Sequence, residues 1–284
     1  MAEPSEESVR RAVRVALAED VGGGDVTTLA CIPPEARARA VMRAREPMVL
    51  CGLAFAEVAF HEMSPNLVFE RSATDGAALK PGAAVLTVSG ESRAILTAER
   101  VALNFVQRLS GVATLTAAYV EAVRGTPARI LDTRKTTPGW RSFEKYAVTC
   151  GGGLNHRMGL FDRVLIKDNH LAALAGAGGD PVVVAVERAR RLWPGLRVEV
   201  EADTLAQVDR ILAAGADGVL LDNMSPDQLR AAVALVAGRI QTEASGGMRL
   251  ETVAAVAAAG VDFISVGAIT HSARAVDLGL DFES

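Results

Sequence analysis

Residues 197–223 read RVEVEADTLAQVDRILAAGADGVLLDN. Two short apolar segments, RVEVEA and GVLLDN, end in polar residues and enclose TLAQVDRILAAG, an alanine-rich stretch with helical spacing. The alternation continues through SPDQLRAAVALVAG, IQTEASGG, RLETVAAVAAAG and FISVGA, and it is prefigured by ARILDT and RVLIKD. The strand centres fall near residues 130, 165, 199, 220, 242 and 265, the last four about 20–24 residues apart. Strand–helix–strand at that period implies parallel strands joined by right-handed crossovers. Repeated this often, it favours a closed βα-barrel over an open sheet. No G-x-G-x-x-G follows any of these strands, which weighs against a dinucleotide-binding fold.

The chain before the barrel reads differently. Residues 5–19 place Val9, Val13, Ala16 and Leu17 at helical spacing, which predicts an amphipathic opening helix. EDVGGGDVTT, residues 19–28, reads as a loop. From Arg37 to Ile95 the composition is that of short strands separated by Asp-Gly, Pro-Gly and Ser-Gly turns. Thr97 then precedes a long helical pattern, expected to break near Ser110-Gly111. The expected division is an N-terminal α+β domain over 1–111 and a C-terminal βα-barrel over 112–284.

Bulk properties narrow the function. The 284 residues carry a formal net charge of −4, and half are hydrophobic, enough for a sizeable core. With a pI near 5.7 and no long basic stripe, nucleic acid is not the expected partner. No run of 18 apolar residues occurs, so no membrane span is expected, and the acidic start with Arg14 in its apolar stretch does not read as a signal peptide. The expected location is the cytoplasm. Cys31, Cys51 and Cys150 are widely spaced without CxxC, which suggests a reducing compartment and incidental thiols rather than disulfides or structural zinc.

The chemistry is concentrated in residues 132–168, DTRKTTPGWRSFEKYAVTCGGGLNHRMGLFDRVLIKD. The chain has only four lysines, and Lys135, Lys145 and Lys167 lie here with Arg134, Arg141, His156, Arg157 and Arg163. Arginine forks bind carboxylates and phosphates bidentately, so an acidic chain that gathers its cations this way is building a pocket for a polyanion. In a βα-barrel, functional residues sit where strands finish. The strand ends here supply Asp132, Lys167, Glu201, Asp222, Ser245-Gly246-Gly247 and Gly267-Ala268. Glycine-rich turns after the last two strands suit a phosphate, and a carboxylate pair beside it suits Mg²⁺, which prefers oxygen ligands.

These motifs together resemble the quinolinate phosphoribosyltransferase family, decarboxylating enzymes that make nicotinate mononucleotide in NAD biosynthesis. The resemblance covers nearly the whole chain. It is strongest in AERVALNFVQRLSGVAT, the 132–170 cation segment, VEVEADT, VLLDNMSP, EASGG and ISVGAIT. It implies a two-domain α/β subunit with an irregular, incomplete barrel of fewer than eight strands. It also implies a homodimer in which the N-terminal domain of one subunit closes the barrel mouth of the other, with a hexamer left open. By the same resemblance, Thr133, Arg134, His156, Arg157 and Lys167 line the quinolinate pocket, Arg100 enters from the partner, and Lys135 lies between the two substrates. Glu201 and Asp222 engage the ribose hydroxyls and Mg²⁺ of phosphoribosyl pyrophosphate, and Ser245-Gly246-Gly247 with Val266-Gly267-Ala268 hold its 5′-phosphate. Lys135, Glu201 and Asp222 are the expected catalytic residues.

Three rival readings remain open at this point. Lys167 at a strand end could serve a Schiff-base lyase. Lys80 in DGAALKPG resembles a lipoyl-type attachment hairpin, though its usual flanking methionine is absent. Relatives of the same fold act on nicotinate or accompany molybdenum transport.

Overall fold

In the opening helix the apolar side chains Val9, Val13 and Leu17 fall on one stripe, and all three are buried. A computed structural model of the chain describes residues 3–174, 176 and 178–283. The chain divides into two units, Met1–Ala117 with Ser142–Gly152 and Ser272–Ser284, and Ala118–Arg141 with Gly153–His271. Residues 142–152 and 272–284, which the sequence groups with the barrel, therefore belong to the first unit.

In the first unit, α1 spans Glu6–Val21 behind the N-cap Ser5, with Glu6 and Glu7 in its first turn. The expected loop over 19–28 is shorter than the sequence suggests. Asp25 accepts the Thr28 amide at 2.9 Å and starts a second helix, α2, over Val26–Cys31. The strands are β1 (Arg37–Ala44), β2 (Met48–Val49), β3 (Val68–Arg71), β4 (Ala78–Leu79) and β5 (Ala84–Glu91). Three of them form a four-stranded antiparallel sheet with the C-terminal strand Leu278–Glu283, in the order C-terminal strand, β1, β5, β3. The first and the last strand of the chain thus pair in one sheet.

Between β2 and β3 runs a helix the sequence does not announce, α3, over Leu53–Met63. LAFAEVAF is apolar on nearly every side, so it lacks the polar stripe by which a surface helix is recognised. Its start is capped from a distance, by Asp75, whose carboxylate accepts the Gly52 amide at 2.9 Å and the Leu53 amide at 3.2 Å. Phe55 stacks on Phe105 and meets Phe143 edge-on, both with centroids 4.9 Å apart, which centres the apolar core of this unit.

The long helix α4 runs unbroken over Ser92–Ala122, beginning before Thr97 and passing straight through Ser110-Gly111. The expected break is instead a close-packing point. Ser110 Oγ bonds both the N–H and the C=O of Cys51, at 2.9 and 3.1 Å. A Cβ on Gly111 would lie 1.9 Å from the Arg274 carbonyl oxygen. The helix α5, Arg141–Cys150, joins this unit from Ser142 onward. Its Glu144 is fully buried and accepts the Arg108 guanidinium at 2.6 Å.

The second unit carries six parallel strands, β6 (Arg129–Leu131), β7 (Val164–Ile166), β8 (Val198–Ala202), β9 (Gly218–Asp222), β10 (Gln241–Ser245) and β11 (Phe263–Ser265). All six coincide with the apolar segments read from the sequence. Their order, β6–β11–β10–β9–β8–β7, is that of a barrel cut once, between β6 and β7. At the cut Leu154 supplies a single bridge to Leu131. The result is the expected incomplete barrel with fewer than eight strands.

The intervening helices are α6 (Asp168–Ala173), α7 (Pro181–Leu192), α8 (Leu205–Ala213), α9 (Pro226–Val236), α10 (Val253–Ala257) and α11 (Ala268–His271). Thr204 with Gln207, and Ser225 with Gln228, form capping boxes that start α8 and α9 immediately after their strands. Among the described residues no helix is long and apolar enough to cross a membrane.

Substituting Gly111 tests the close packing on α4. Gly111→Ala should lower unfolding free energy by about 1–3 kcal/mol, the usual cost of overpacking a tight core, because the clash is with backbone rather than a movable side chain. Urea unfolding measures it, and an unchanged midpoint would mean that the 274 segment yields freely.

Candidate active site

A cavity of about 310 Å³ opens at the carboxyl ends of three neighbouring strands, β6, β11 and β10. Thr133 and Lys135 line it after β6, Ser245, Gly246 and Gly247 after β10, and Gly267 and Ala268 after β11. Seven of the expected residues therefore share one wall. Val266 does not: its side chain is fully buried, and its backbone N–H donates to Leu131 O at 2.9 Å. Met248, Arg249, Ser265 and His271 also line the cavity, although the sequence gave no reason to single them out.

The turns around this cavity are sterically fixed. Gly246 has φ +93, and a Cβ there would lie 2.1 Å from Asn223 Oδ1. Asn223 itself is left-handed, with φ 54, and its N–H donates to Ser245 O at 3.0 Å. Gly267 lies between two side chains, where a Cβ would approach His271 Nε2 to 3.1 Å and Lys135 Cδ to 3.2 Å. The Lys135 backbone is held at both ends, by Thr133 Oγ1 accepting its N–H at 3.0 Å and by Thr270 Oγ1 donating to its C=O at 2.7 Å.

The acidic pair lies on the adjoining strands. Asp222 ends β9, in register with Ser245 of β10, and its Oδ2 accepts Asn223 Nδ2 at 2.6 Å. Glu201, near the end of β8, is buried and forms an ion pair with Lys167, which follows β7. This pairing engages Lys167 Nζ with a carboxylate, whereas a Schiff-base nucleophile needs a free amine aimed at a carbonyl.

Between β6 and β7 the cations gather, with Arg163 and His156 both facing Glu199. Burial, and next the charge of Arg134, push the Arg157 guanidinium below its ordinary value. Arg157 is 9% exposed, and its Nη1 donates to Arg163 O at 3.3 Å. A nearly buried guanidinium with a second, exposed one near enough for its charge to be felt is suited to binding an anion. Arg141 braces this arrangement from beneath, donating to Thr136 Oγ1 at 3.1 Å, to Met158 O at 3.1 Å and to Arg134 O at 3.2 Å.

His156 lies at the inner edge of this cluster. Its backbone N–H donates to the fully buried Asp132 at 2.9 Å, and its Nε2 lies 3.4 Å from both Glu199 and Glu243. Burial alone would lower the ring's pKa, but the two carboxylates outweigh it and push the ring up to about 9. The Arg157 amide, 2.6 Å from Nδ1, opposes them by favouring a bare nitrogen there. With Nδ1 accepting that amide, the ring hydrogen lies on Nε2, facing the two carboxylates. Glu199, although burial opposes it, is drawn down by His156 and Arg163, whereas Glu243 is pushed up by burial and by Glu199 beside it. Neither glutamate was singled out from the sequence. The signal was present in VEVEA, where strand alternation puts Glu199 on the same face as Glu201.

Arg100 belongs to the first unit. It is exposed on α4 and lines a different cavity there, also about 310 Å³, with Asp20, Gly24, Asp25 and Thr97.

Residues 25–110 match the N-terminal domain model of quinolinate phosphoribosyl transferase and residues 112–281 match the C-terminal one. The chain belongs to the quinolinate phosphoribosyl transferase family. It is 45% identical over 282 residues to the nicotinate-nucleotide pyrophosphorylase [carboxylating] of Mycobacterium leprae, an alignment covering 97% of each chain. It is 43% identical to quinolinate phosphoribosyltransferase [decarboxylating] 1b of Nicotiana tabacum, over 96% of this chain and 81% of that one. Among solved structures, the nicotinate-nucleotide pyrophosphorylase of Francisella tularensis superposes with a TM-score of 0.93 at 40% identity, covering 99% and 98% of the two chains.

The raised pKa of His156 makes a prediction about this family member's stability. A group whose folded pKa lies above its unfolded value of 6.5 stabilises the fold fully below that value, and the contribution is lost as pH rises towards about 9. Melting temperature should therefore fall over that interval, and His156→Gln should flatten the decline. Parallel melting curves for the two proteins would remove the charge from His156.

Proposed function

We propose that the chain transfers the phosphoribosyl group of phosphoribosyl pyrophosphate to quinolinate, with decarboxylation, giving nicotinate mononucleotide, pyrophosphate and CO₂. The observation that carries this is the nearly buried Arg157 guanidinium, which feels the charge of the exposed Arg134. A dicarboxylate of pyridine satisfies both cations. The glycine-walled cavity on β10 and β11 suits a 5′-phosphate in the same unit. Family membership and 45% identity over 97% of the chain support the same activity.

In this reading Arg134, His156, Arg157 and Lys167 bind quinolinate and fix its ring nitrogen against the anomeric carbon, with Thr133 at the edge of the pocket and Lys135 between the two substrates. The nitrogen lone pair forms the new C–N bond as the C–O bond to pyrophosphate breaks. Glu201 and Asp222 bind the ribose hydroxyls and stabilise the positive charge that develops on the sugar. Loss of the neighbouring carboxylate as CO₂ then leaves its electron pair on the ring carbon beside the pyridinium nitrogen, where a proton replaces it. Ser245, Gly246, Gly247, Gly267, Ala268 and the backbone at Val266 hold the 5′-phosphate. No side-chain nucleophile is required.

Mg²⁺ fits the donor set, since Glu201 and Asp222 end adjacent strands and offer oxygen alone. When bound with substrate oxygens, the ion would neutralise the departing pyrophosphate. The functional division is read as 1–111 and 112–284, with Arg100 contributed by the partner in a homodimer and with the protein acting in the cytoplasm.

Mixing the pure protein with quinolinate, phosphoribosyl pyrophosphate and Mg²⁺ tests the reading. Nicotinate mononucleotide and CO₂ should appear, and nicotinate should be used poorly because it leaves buried cations unsatisfied. Comparable turnover of the two acids would favour the nicotinate-specific relatives. Arg157→Ala should weaken quinolinate binding by about 2–4 kcal/mol, measured calorimetrically, since it removes a charge-assisted contact in a desolvated pocket. Unchanged affinity would exclude the assigned role.

Sharing of sites between subunits is tested by mixing inactive variants. Arg100→Ala and Lys167→Ala homodimers should each be nearly inactive, while random reassortment should restore roughly a quarter of native activity through heterodimers with one intact site. No recovery after verified subunit exchange would return Arg100 to its own chain.

A further inference from the structure

Far from the cation cluster in sequence, the first unit brings two thiols and a carboxylate together. Cys51 is buried immediately before α3, Cys150 is the last residue of α5, and Asp75 lies in the turn after β3. One ligand atom from each lies within 4.8 Å of the other two. Tyr146, one helical turn before Cys150, donates its hydroxyl to Asp75 Oδ2 at 3.1 Å.

We propose that Cys51, Cys150 and Asp75 form a binding site for a thiophilic divalent metal ion of the zinc class, with the Tyr146 hydroxyl or a water completing four-fold coordination. Zinc binds thiolate at about 2.3 Å and carboxylate at about 2.0–2.2 Å, so a tetrahedral site needs sulfur atoms about 3.8 Å apart. The observed spread accommodates that. The ligands are also held in place before any metal arrives. Ser110 Oγ clamps both backbone groups of Cys51. Asp75 is oriented by the Gly52 and Leu53 amides, and the latter is the single bond to Oδ1, which keeps a lone pair for a metal. Such outer hydrogen bonds are what orient metal ligands in established sites.

Charge argues the same way. Among the described residues Asp75 forms no ion pair; the charge of Arg71 reaches it, but that guanidinium is paired with Glu57. A divalent ion would supply the balancing charge and release two thiol protons to solvent on binding. The preference for zinc over Mg²⁺ follows from sulfur, a soft ligand that magnesium does not accept. The site would tie residues 51, 75 and 150 of the first unit into one cross-link. The wide spacing of the cysteines hides it from the sequence, because the ligands converge only in the fold.

Cobalt provides the test, because its thiolate complexes absorb visibly and in the near ultraviolet. The whole chain, reduced and stripped with chelator, should take up Co²⁺ with a thiolate charge-transfer band that saturates at one ion per chain and that zinc abolishes. Cys51→Ser and Cys150→Ser should each lose the band and weaken zinc by roughly 10–100-fold, with Asp75→Asn weakening zinc but keeping the band. The cluster of His156, Glu199 and Glu243 is also tight enough to hold an ion, but it has no sulfur. Cobalt binding without a charge-transfer band would therefore belong there and overturn the proposal, as would no binding, or a Cys51–Cys150 disulfide whose reduction restores no metal uptake. The wild-type spectrum decides the matter even if a serine variant fails to fold, and it does not depend on catalysis.

Discussion

Holding the Arg157 guanidinium nearly buried, where the charge of Arg134 is felt, is unfavourable, and the local structure around it serves to hold it. Left to itself that guanidinium would move into water. Arg141 prevents that by tying the 134–136 loop to Met158 with three hydrogen bonds. Asp162 fixes the other side, accepting the Met158 and Gly159 amides at 2.6 and 3.0 Å. Buried Asp132 accepts both His156 N–H and Asn155 Nδ2, at 2.9 and 2.6 Å, and so anchors the segment carrying Arg157 to the end of β6. These bonds fix the segment carrying Arg157 in place, ready for the anion of the proposed reaction.

Negative charge is placed so as not to cancel that readiness. Glu199 and Glu243 lie deep in the barrel, engaged with His156, Arg163 and Ser265. Glu201 is paired with Lys167. Two buried carboxylates would be costly if unmatched, but here both face His156 Nε2 and push that ring's pKa up. The acids that the proposed reaction uses, Glu201 and Asp222, are the ones at the strand ends.

How much of this could be read in advance depended on whether the cause was local. The six barrel strands were legible because each is a short apolar run bounded by polar or glycine residues, and the helices between them carry their own caps at Thr204 and Ser225. α3 was invisible because its cap, Asp75, is supplied from another turn and its sequence has no polar face. The break expected at Ser110-Gly111 misread a packing requirement as a conformational one. The glycine is there so that the Arg274 carbonyl can approach, and α4 continues through it. The start of α2 was lost inside a glycine-rich stretch for the opposite reason, since Asp25 acts as a cap rather than a turn.

The site divides along the same line. Lys135, Ser245, Gly246 and Gly267 could be placed together because barrel topology puts the ends of β6, β10 and β11 side by side. Glu243 could not, because its partners His156 and Ser265 come from the chain after β6 and from β11, and only closure of the sheet brings them within reach. Val266 marks the limit of motif reading: it belongs to a segment that forms the cavity wall, but strand alternation turns its side chain into the core. A motif identifies a stretch of backbone, and the pleat of the strand then decides which of its side chains can touch a ligand.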